Sequence, residues 1–353
     1  MKVLKKGNEA IGEAAIRAGC RYFFGYPITP QNEIPEYMAK MLPSAGGVFL
    51  QAESELAAIN MVYGAAAAGA RVMTSSSGPG ISLKQEGISF LAGAELPCLI
   101  VDVMRSGPGL GGILPSQADY FQATRGGGHG DYRTVVYAPA SVQEMADLVG
   151  KSFETADRYR TPVLLAADGS LGQMMEQVEF PEPIDASSRD TSWAVGQGDG
   201  KSRKVLSSLN LDAKSMERHN LDLQAKYDKI KECETMAEHY YTEDAEAVLV
   251  AYGMAARICK GAVDELRAEG IRAGLLRPIT LFPFPERELK EAVRNAGLAL
   301  AVEMSLGQMV EDVRLAVGCI LPVEFYGRTG GVVPTVKEIS GVLKDLMKRG
   351  ADK

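Results

Sequence analysis

Three side chains in the first third of the chain combine a reactive type with a setting that could use it. Glu55 follows a short apolar run and opens an alanine-rich stretch, so it falls where a strand ends and a helix begins. Ligands of open α/β sheets sit at such strand ends, and a carboxyl there can share a proton with a bound group. Glu53, two residues earlier, has the same chance, and both could equally do no more than favour a helix N-terminus through its dipole. Thr29 lies between Pro27 and Pro30 in a turn after a strand. Pro30 biases it away from helix, which leaves its hydroxyl free to face a cleft or to satisfy the turn itself. Arg105 follows another apolar strand. An arginine there can clamp a carboxylate through two parallel N–H bonds, or it can be a surface cation beside a glycine-rich loop.

Two glycine-rich loops follow, SGPGLGG at 106–112 and GGGHG at 126–130. Glycine lets backbone approach a ligand closely. Neither loop has the GxxxxGK[ST] form or opens a GxGxxG unit after a strand, and both are read as loops that face the active site. His129 could carry a proton or could be structural. His219 and His239 lie in a polar stretch and carry no chemistry.

The elements that must position these residues follow from periodicity. A helix capped by Asn8 runs to about Ala18, where Gly19 ends it. Strands are expected at 21–25, 48–51, 71–74, 97–103, 134–137 and 161–165, with helices at 53–68 and 141–159. The 97–103 run is apolar with little alternation, as in a parallel sheet covered on both faces. Strand–helix repetition of this kind implies a doubly wound α/β domain over 1–180. Residues 181–243 turn polar, with a charged, helix-like stretch at 214–241, and read as a connector that wraps the surface or docks on a partner. A second, smaller α/β domain spans 244–353, with strands at 245–252, 271–276, 298–303 and 323–326 and a helix at 256–269.

Bulk properties remove several function classes. A net charge of -7 and a pI near 5.3 leave no basic stripe for nucleic acid. No apolar run reaches the length of a membrane span, and the start has no signal-peptide pattern, so a cytoplasmic protein is expected. The five cysteines, Cys20, Cys98, Cys233, Cys259 and Cys319, are scattered. They suit reduced, buried, small apolar side chains and exclude a four-cysteine iron–sulfur run within the chain.

The GYPITP turn at 25–30, QAESE at 51–55 and TSSSGPG at 74–80 occur in this order and at similar spacing in one family. The chain resembles the 2-oxoacid:ferredoxin oxidoreductases, in the subunit that holds the pyrimidine half of thiamine diphosphate. Downstream, AYGMA at 251–255, LRPITL at 276–281 and EMSLGQ at 303–308 are similar to its transketolase-C-terminal-like domain. Through the GGGHGD loop and the YPITPQNEIPEY stretch it looks most like the branched-chain type, acting on 3-methyl-2-oxobutanoate (2-ketoisovalerate); the 2-oxoglutarate type is the near neighbour.

The resemblance implies roles. Glu55, rather than Glu53, matches the family glutamate that pairs with the aminopyrimidine. Tyr26, Pro27, Ile28, Thr29, Ser77 and Gly78 fall on cofactor-binding positions. Thr29 and Arg105 fall on positions that meet the 2-oxoacid, with Arg105 on its carboxylate.

The family reaction is oxidative decarboxylation to acyl-CoA and CO₂, with coenzyme A as co-substrate and ferredoxin as electron acceptor. It implies partners: a diphosphate-binding thiamine subunit, a gamma-type subunit, and a small ferredoxin-like subunit carrying [4Fe-4S] clusters. GDG at 198–200 looks like the start of a diphosphate–magnesium motif, but it lacks a preceding strand and paired asparagines and reads as a turn. Thiamine diphosphate would then be shared, its Mg²⁺ held by the partner, with no metal ligand in this chain. The alternatives are another thiamine-dependent pyrimidine subunit, against which the YPITP turn argues, and a non-catalytic module on the same fold. Retention of Thr29, Glu55 and Arg105 together argues against the module.

Overall fold

A computed structural model describes residues 2–185, 188–196 and 204–351. Both α/β units expected from the periodicity are present. The larger is a seven-stranded sheet in the order Thr280–Phe282, Val135–Tyr137, Pro162–Asp168, Cys98–Met104, Val72–Ser76, Tyr22–Gly25 and Val48–Gln51. Every neighbouring pair is parallel except the first. The central strands Cys98–Met104 and Pro162–Asp168 are buried at every residue, which accounts for their unbroken apolar runs: helices cover both faces of a parallel sheet.

The strand order creates the site. Tyr22–Gly25 leads outward to the edge strand Val48–Gln51, and the chain then returns to the other side of Tyr22–Gly25 as Val72–Ser76. The direction of winding reverses there, so the loops leaving Tyr22–Gly25 and Val72–Ser76 diverge. The crevice between them, at the carboxyl ends of parallel strands, is where such sheets bind ligands.

Helix starts follow their caps. Ser54 accepts from Ala57 N (3.1 Å) to open Glu55–Ala67, and Ser141 accepts from Glu144 N (3.1 Å) to open Val142–Tyr159. The first helix departs from expectation. It runs Gly7–Arg17 with Asn8 inside it and no side-chain cap. Strand Lys2–Lys6, paired antiparallel with Met175–Glu179, delivers the chain directly, and Gly7 N is satisfied by Met174 O at 2.9 Å. The Asn8 amide is used elsewhere, donating to Pro30 O and Glu33 Oε2, both at 2.8 Å.

The smaller sheet has the order Val323–Gly327, Leu298–Glu303, Ala247–Val250, Ala273–Pro278 and Ala237–Tyr240, with the last strand antiparallel. The stretch expected as a polar connector supplies that last strand. It also supplies the helix Ala213–Glu234, which buries Leu223, Tyr227 and Ile230 at helical spacing on one narrow face. In exchange, Thr280–Phe282 crosses from the second unit to the edge of the larger sheet. Gln117 ties the units together: its N–H donates to Met304 O (2.9 Å), its Nε2 donates to Tyr252 O (2.8 Å), and its Oε1 accepts from Met304 N (3.0 Å). Cys20, Cys98 and Cys259 are buried as expected. Cys233 and Cys319 are exposed, the first on the open face of the charged helix and the second in the turn after Met309–Val317.

Candidate active site

Four loops meet at the crevice, one from each of four neighbouring parallel strands. Tyr22–Gly25 leads into Tyr26–Pro30, Val48–Gln51 into Glu55, Val72–Ser76 into Ser77 and Gly78, and Cys98–Met104 into Arg105. The two glutamates separate by burial: Glu55 is 6 % exposed and is the first residue of its helix, whereas Glu53 is exposed. Gly80 is packed against the Glu55 carboxyl. A Cβ built on Gly80 would lie 2.6 Å from Glu55 Oε1 and closer still to Ser76 Oγ, so only glycine leaves room for this carboxyl.

Arg105 is also buried. Its Nη1 donates to Thr29 O (2.8 Å) and its Nη2 to Leu110 O (3.0 Å), while Nε has no partner among the described residues. It is therefore not a surface cation. It links the Thr29 turn to the 106–112 loop and keeps one donor direction unused. The Thr29 hydroxyl accepts from Asn32 Nδ2 at 3.1 Å. Tyr26 and Pro27 are exposed, Ile28 and Thr29 half-buried. Gly78 adopts φ of 47° and ψ of -113°, a conformation that side chains rarely adopt, and its position for a Cβ faces the Arg105 side chain at 3.3 Å. Gly78, Arg105, Asp119 and Gln308 line a cleft of about 410 Å³.

The second glycine-rich loop lies elsewhere. Gly127 N donates to Gln85 Oε1 and Gly128 N to Tyr132 OH, and Gly130 lines a different cleft, with Tyr132 and Asn220. His129 is exposed on that loop. His219 bonds to Gly93 O, far away in the chain, and His239 to Thr242 close by. The GDG at 198–200 lies outside the described residues. Among those described, no group of three metal-ligating side chains occurs.

Three charged residues beneath the crevice escaped the sequence reading. Lys84 is fully buried, donating to Thr74 Oγ1 (2.6 Å) and Ser75 O (3.0 Å). Burial pushes its pKa down to about 7, opposed by the negative charges of Glu55 and Asp102. Asp102 is 1 % exposed in the middle of the sheet, and Asp119 lies beside it. The signal for Asp102 was available: a carboxyl inside an otherwise apolar strand buried on both faces is costly unless it is used. Lys84 gave only a weak one, a lysine between Gly80 and Gly87 on the helix face that packs on Glu55–Ala67.

The residues fit the pyrimidine side of thiamine diphosphate. Glu55 is a buried carboxyl against a glycine, and the buried hydroxyls of Ser76 and Ser77 have no partner among the described residues. Such unpaired buried hydroxyls call for a hydrogen-bonding partner, which the ring nitrogens and amino group of an aminopyrimidine could supply.

Comparison with known proteins agrees with the geometry. Residues 13–240 match the model of the pyruvate flavodoxin/ferredoxin oxidoreductase thiamine-diphosphate-binding family, and residues 245–339 that of pyruvate:ferredoxin oxidoreductase core domain II. The chain is 54% identical over 347 residues to the ketoisovalerate oxidoreductase subunit VorB of Methanothermobacter marburgensis, covering 98% of both chains. It is 37% identical over 361 residues to the 2-oxoglutarate synthase subunit KorA of the same organism, covering 95% of this chain and 96% of that one. The solved 2-oxoglutarate:ferredoxin oxidoreductase of Magnetococcus marinus superposes with a TM-score of 0.87 at 27% identity, over 98% of this chain and 65% of that chain. Strand order, crevice and relatives together place this chain in the 2-oxoacid:ferredoxin oxidoreductase family, among its thiamine-diphosphate-binding subunits.

Proposed function

We propose that this chain supplies the pyrimidine side of the cofactor site, and the substrate-carboxylate grip, in an oxidoreductase for a branched-chain 2-oxoacid, 3-methyl-2-oxobutanoate. The observation that carries the reading is the pairing of two buried charges across one crevice: Glu55 against Gly80, and Arg105 with one donor unused. Glu55 would hold the aminopyrimidine through N1′ and exchange a proton there. Tyr26, Pro27, Ile28, Thr29, Ser77 and Gly78 would form the surrounding wall. Arg105 would take the substrate carboxylate in a charge-assisted bond while its other nitrogens keep the Thr29 turn in place. Bound thiamine diphosphate supplies the electron sink that makes loss of CO₂ from a 2-oxoacid possible.

The rest of the reaction belongs to partners: a diphosphate-binding thiamine subunit with its Mg²⁺, a gamma-type subunit, and a small iron–sulfur subunit that passes electrons to ferredoxin. Coenzyme A takes the acyl group. A cytoplasmic location fits such an assembly; among the described residues no helix is long and apolar enough to cross a membrane.

The branched-chain assignment rests on the higher identity to the ketoisovalerate subunit than to the 2-oxoglutarate one. Turnover of a panel of 2-oxoacids by the reconstituted complex tests it. Higher kcat/KM for 3-methyl-2-oxobutanoate than for 2-oxoglutarate is expected, and the reverse order overturns the substrate. Failure to turn over any 2-oxoacid overturns the function.

A further inference from the structure

The cleft beside Arg105 has few charges and one large apolar group. Among the described residues that line it, Arg105 and Asp119 are the charged ones, and Leu306 is the largest apolar side chain. Leu306 comes from the second α/β unit, in the turn between strand Leu298–Glu303 and helix Met309–Val317, and is 78 % exposed. An exposed leucine on a loose loop is ordinary, but the backbone on both sides of this one is tied down. Glu303 is fully buried, and its carboxyl accepts from Ser305 Oγ (2.9 Å) and from the backbone N–H groups of Gln308 (3.1 Å), Met309 (3.0 Å) and Val310 (2.9 Å). Those N–H groups open a helix and have no partner within it. Ser305 Oγ accepts in turn from Gly307 N (3.1 Å), and Gly307 turns the chain at φ of 101°, which side chains rarely adopt.

The same turn is laced to the Arg105 side of the cleft. Arg105 pairs with Pro115 in an isolated antiparallel bridge. The residues that follow reach across to the second unit. Ser116 Oγ (3.2 Å) and Gln117 N (2.9 Å) donate to Met304 O. Gln308 Nε2 donates to Ala118 O (2.6 Å), and Gln308 Oε1 accepts from Phe121 N (2.8 Å). Leu306 lies between Met304 and Gln308, so bonds on both sides of it set its place relative to Arg105.

We propose that Leu306 is a specificity-determining residue, which packs against the side chain of a 2-oxoacid whose carboxylate is on Arg105 and favours an apolar, branched one. The inference rests on the assignment of Arg105 as the substrate cation.

The chemistry of the cleft supports this. A 2-oxoacid carries its carboxylate and its oxo group at one end, and its side chain extends away from both. An isopropyl group that covers Leu306 removes apolar surface of both partners from water. A dicarboxylic 2-oxoacid would instead bring a second carboxylate to a cleft in which the described residues provide no second cation, and a charge left there without a partner is costly. The polar side chains nearby are already engaged: both ends of the Gln308 amide are bonded, and Gln122 Nε2 donates to Ser82 Oγ at 2.9 Å.

The test is kcat/KM of the reconstituted complex for 3-methyl-2-oxobutanoate and for pyruvate, whose side chain is a single methyl group. Leu306→Ala should lower kcat/KM for 3-methyl-2-oxobutanoate about tenfold more than for pyruvate, the low end of what a lost apolar contact in a pocket is worth. Leu306→Asn keeps nearly the same size and replaces the apolar surface by an amide, and it should shift the ratio in the same direction. An unaltered ratio in both variants overturns the proposal. So does a fall of equal size for the two substrates, which is the signature of a contact that serves assembly or the turn itself. Should Leu306→Ala not assemble, Leu306→Asn alone decides by the same ratio. Arg105→Ala run alongside separates the two failures. If it raises KM while the Leu306 variants keep the wild-type ratio, Leu306 alone is wrong; if it leaves KM unaltered, the Arg105 assignment fails and the role of Leu306 with it.

Discussion

Replacing Glu55 by glutamine keeps the shape of the side chain and a hydrogen-bond partner for N1′, but the amide cannot share a proton. Glu55→Gln should bind thiamine diphosphate in the complex and slow hydrogen–deuterium exchange at the thiazolium carbon by about 10²-fold or more, the usual worth of a general acid–base group. Glu53 is exposed, and Glu53→Gln should exchange like wild type. A crippled Glu53→Gln beside a normal Glu55→Gln would move the motif by two residues, and two normal variants would remove the cofactor assignment. Arg105 is proposed to act on the other ligand, the 2-oxoacid. Arg105→Ala should raise KM for the 2-oxoacid more than tenfold, since losing a charge-assisted bond to a buried partner costs roughly 2–5 kcal/mol, with cofactor affinity retained. Because Arg105 also holds Thr29 O and Leu110 O, Arg105→Lys is the companion variant. It keeps the charge but not the fork, and should fall between the two. An unchanged KM in both variants would place another cation on the carboxylate.

The helix Pro79–Gly93 carries Gly80 under Glu55 and, one turn on, the buried Lys84. Lys84 titrates near 7 in the folded chain against 10.5 for a free lysine. Between those values the unfolded chain binds more protons than the folded one, so stability rises with pH. The burial cost is felt in full below pH 7 and is recovered as pH climbs toward 10.5. Thermal unfolding of wild type and Lys84→Met across pH 7 to 9 should therefore diverge in favour of wild type, by about 2 kcal/mol at most. A constant difference would mean that Lys84 stays charged throughout. At this scale the sequence was informative where burial is two-sided. The parallel strands Cys98–Met104, Pro162–Asp168 and Leu298–Glu303 read as apolar runs because both their faces are covered. Val48–Gln51 and Val323–Gly327 were legible at their sheet edges, but other edge strands stayed hidden. Lys2–Lys6 is half charged, Ala237–Tyr240 is polar on a sheet rim, and Thr280–Phe282 is too short for a period to show. The site divided the same way. Glu55 and Arg105 sit at strand ends that periodicity can locate, whereas Lys84 reaches Thr74 and Ser75 only once its helix packs on the folded sheet.

In the whole molecule the elements around Glu55 carry an exposed apolar rim. Leu56 stands next to Glu55 and Leu83 next to Lys84, and both are exposed, as are Leu50 and Phe90 on the neighbouring elements. Apolar side chains grouped around a polar crevice mark a surface that a partner covers. Among the described residues no three-group metal site exists to hold Mg²⁺ and, through it, a diphosphate. Glu55 and the unpaired hydroxyls of Ser76 and Ser77 offer a ring a few hydrogen bonds, which is too little to offset the loss of translational freedom on binding. Calorimetric titration of the isolated chain with thiamine diphosphate and Mg²⁺ should therefore show no tight, stoichiometric binding. Adding the diphosphate-binding subunit should restore it, with a heat that depends on partner concentration. In the assembled complex, Glu55→Gln should weaken that heat far less than omission of Mg²⁺. Stoichiometric micromolar-or-better binding to the isolated chain would overturn the division of the cofactor between two subunits, and with it the reason for the exposed apolar rim around Glu55.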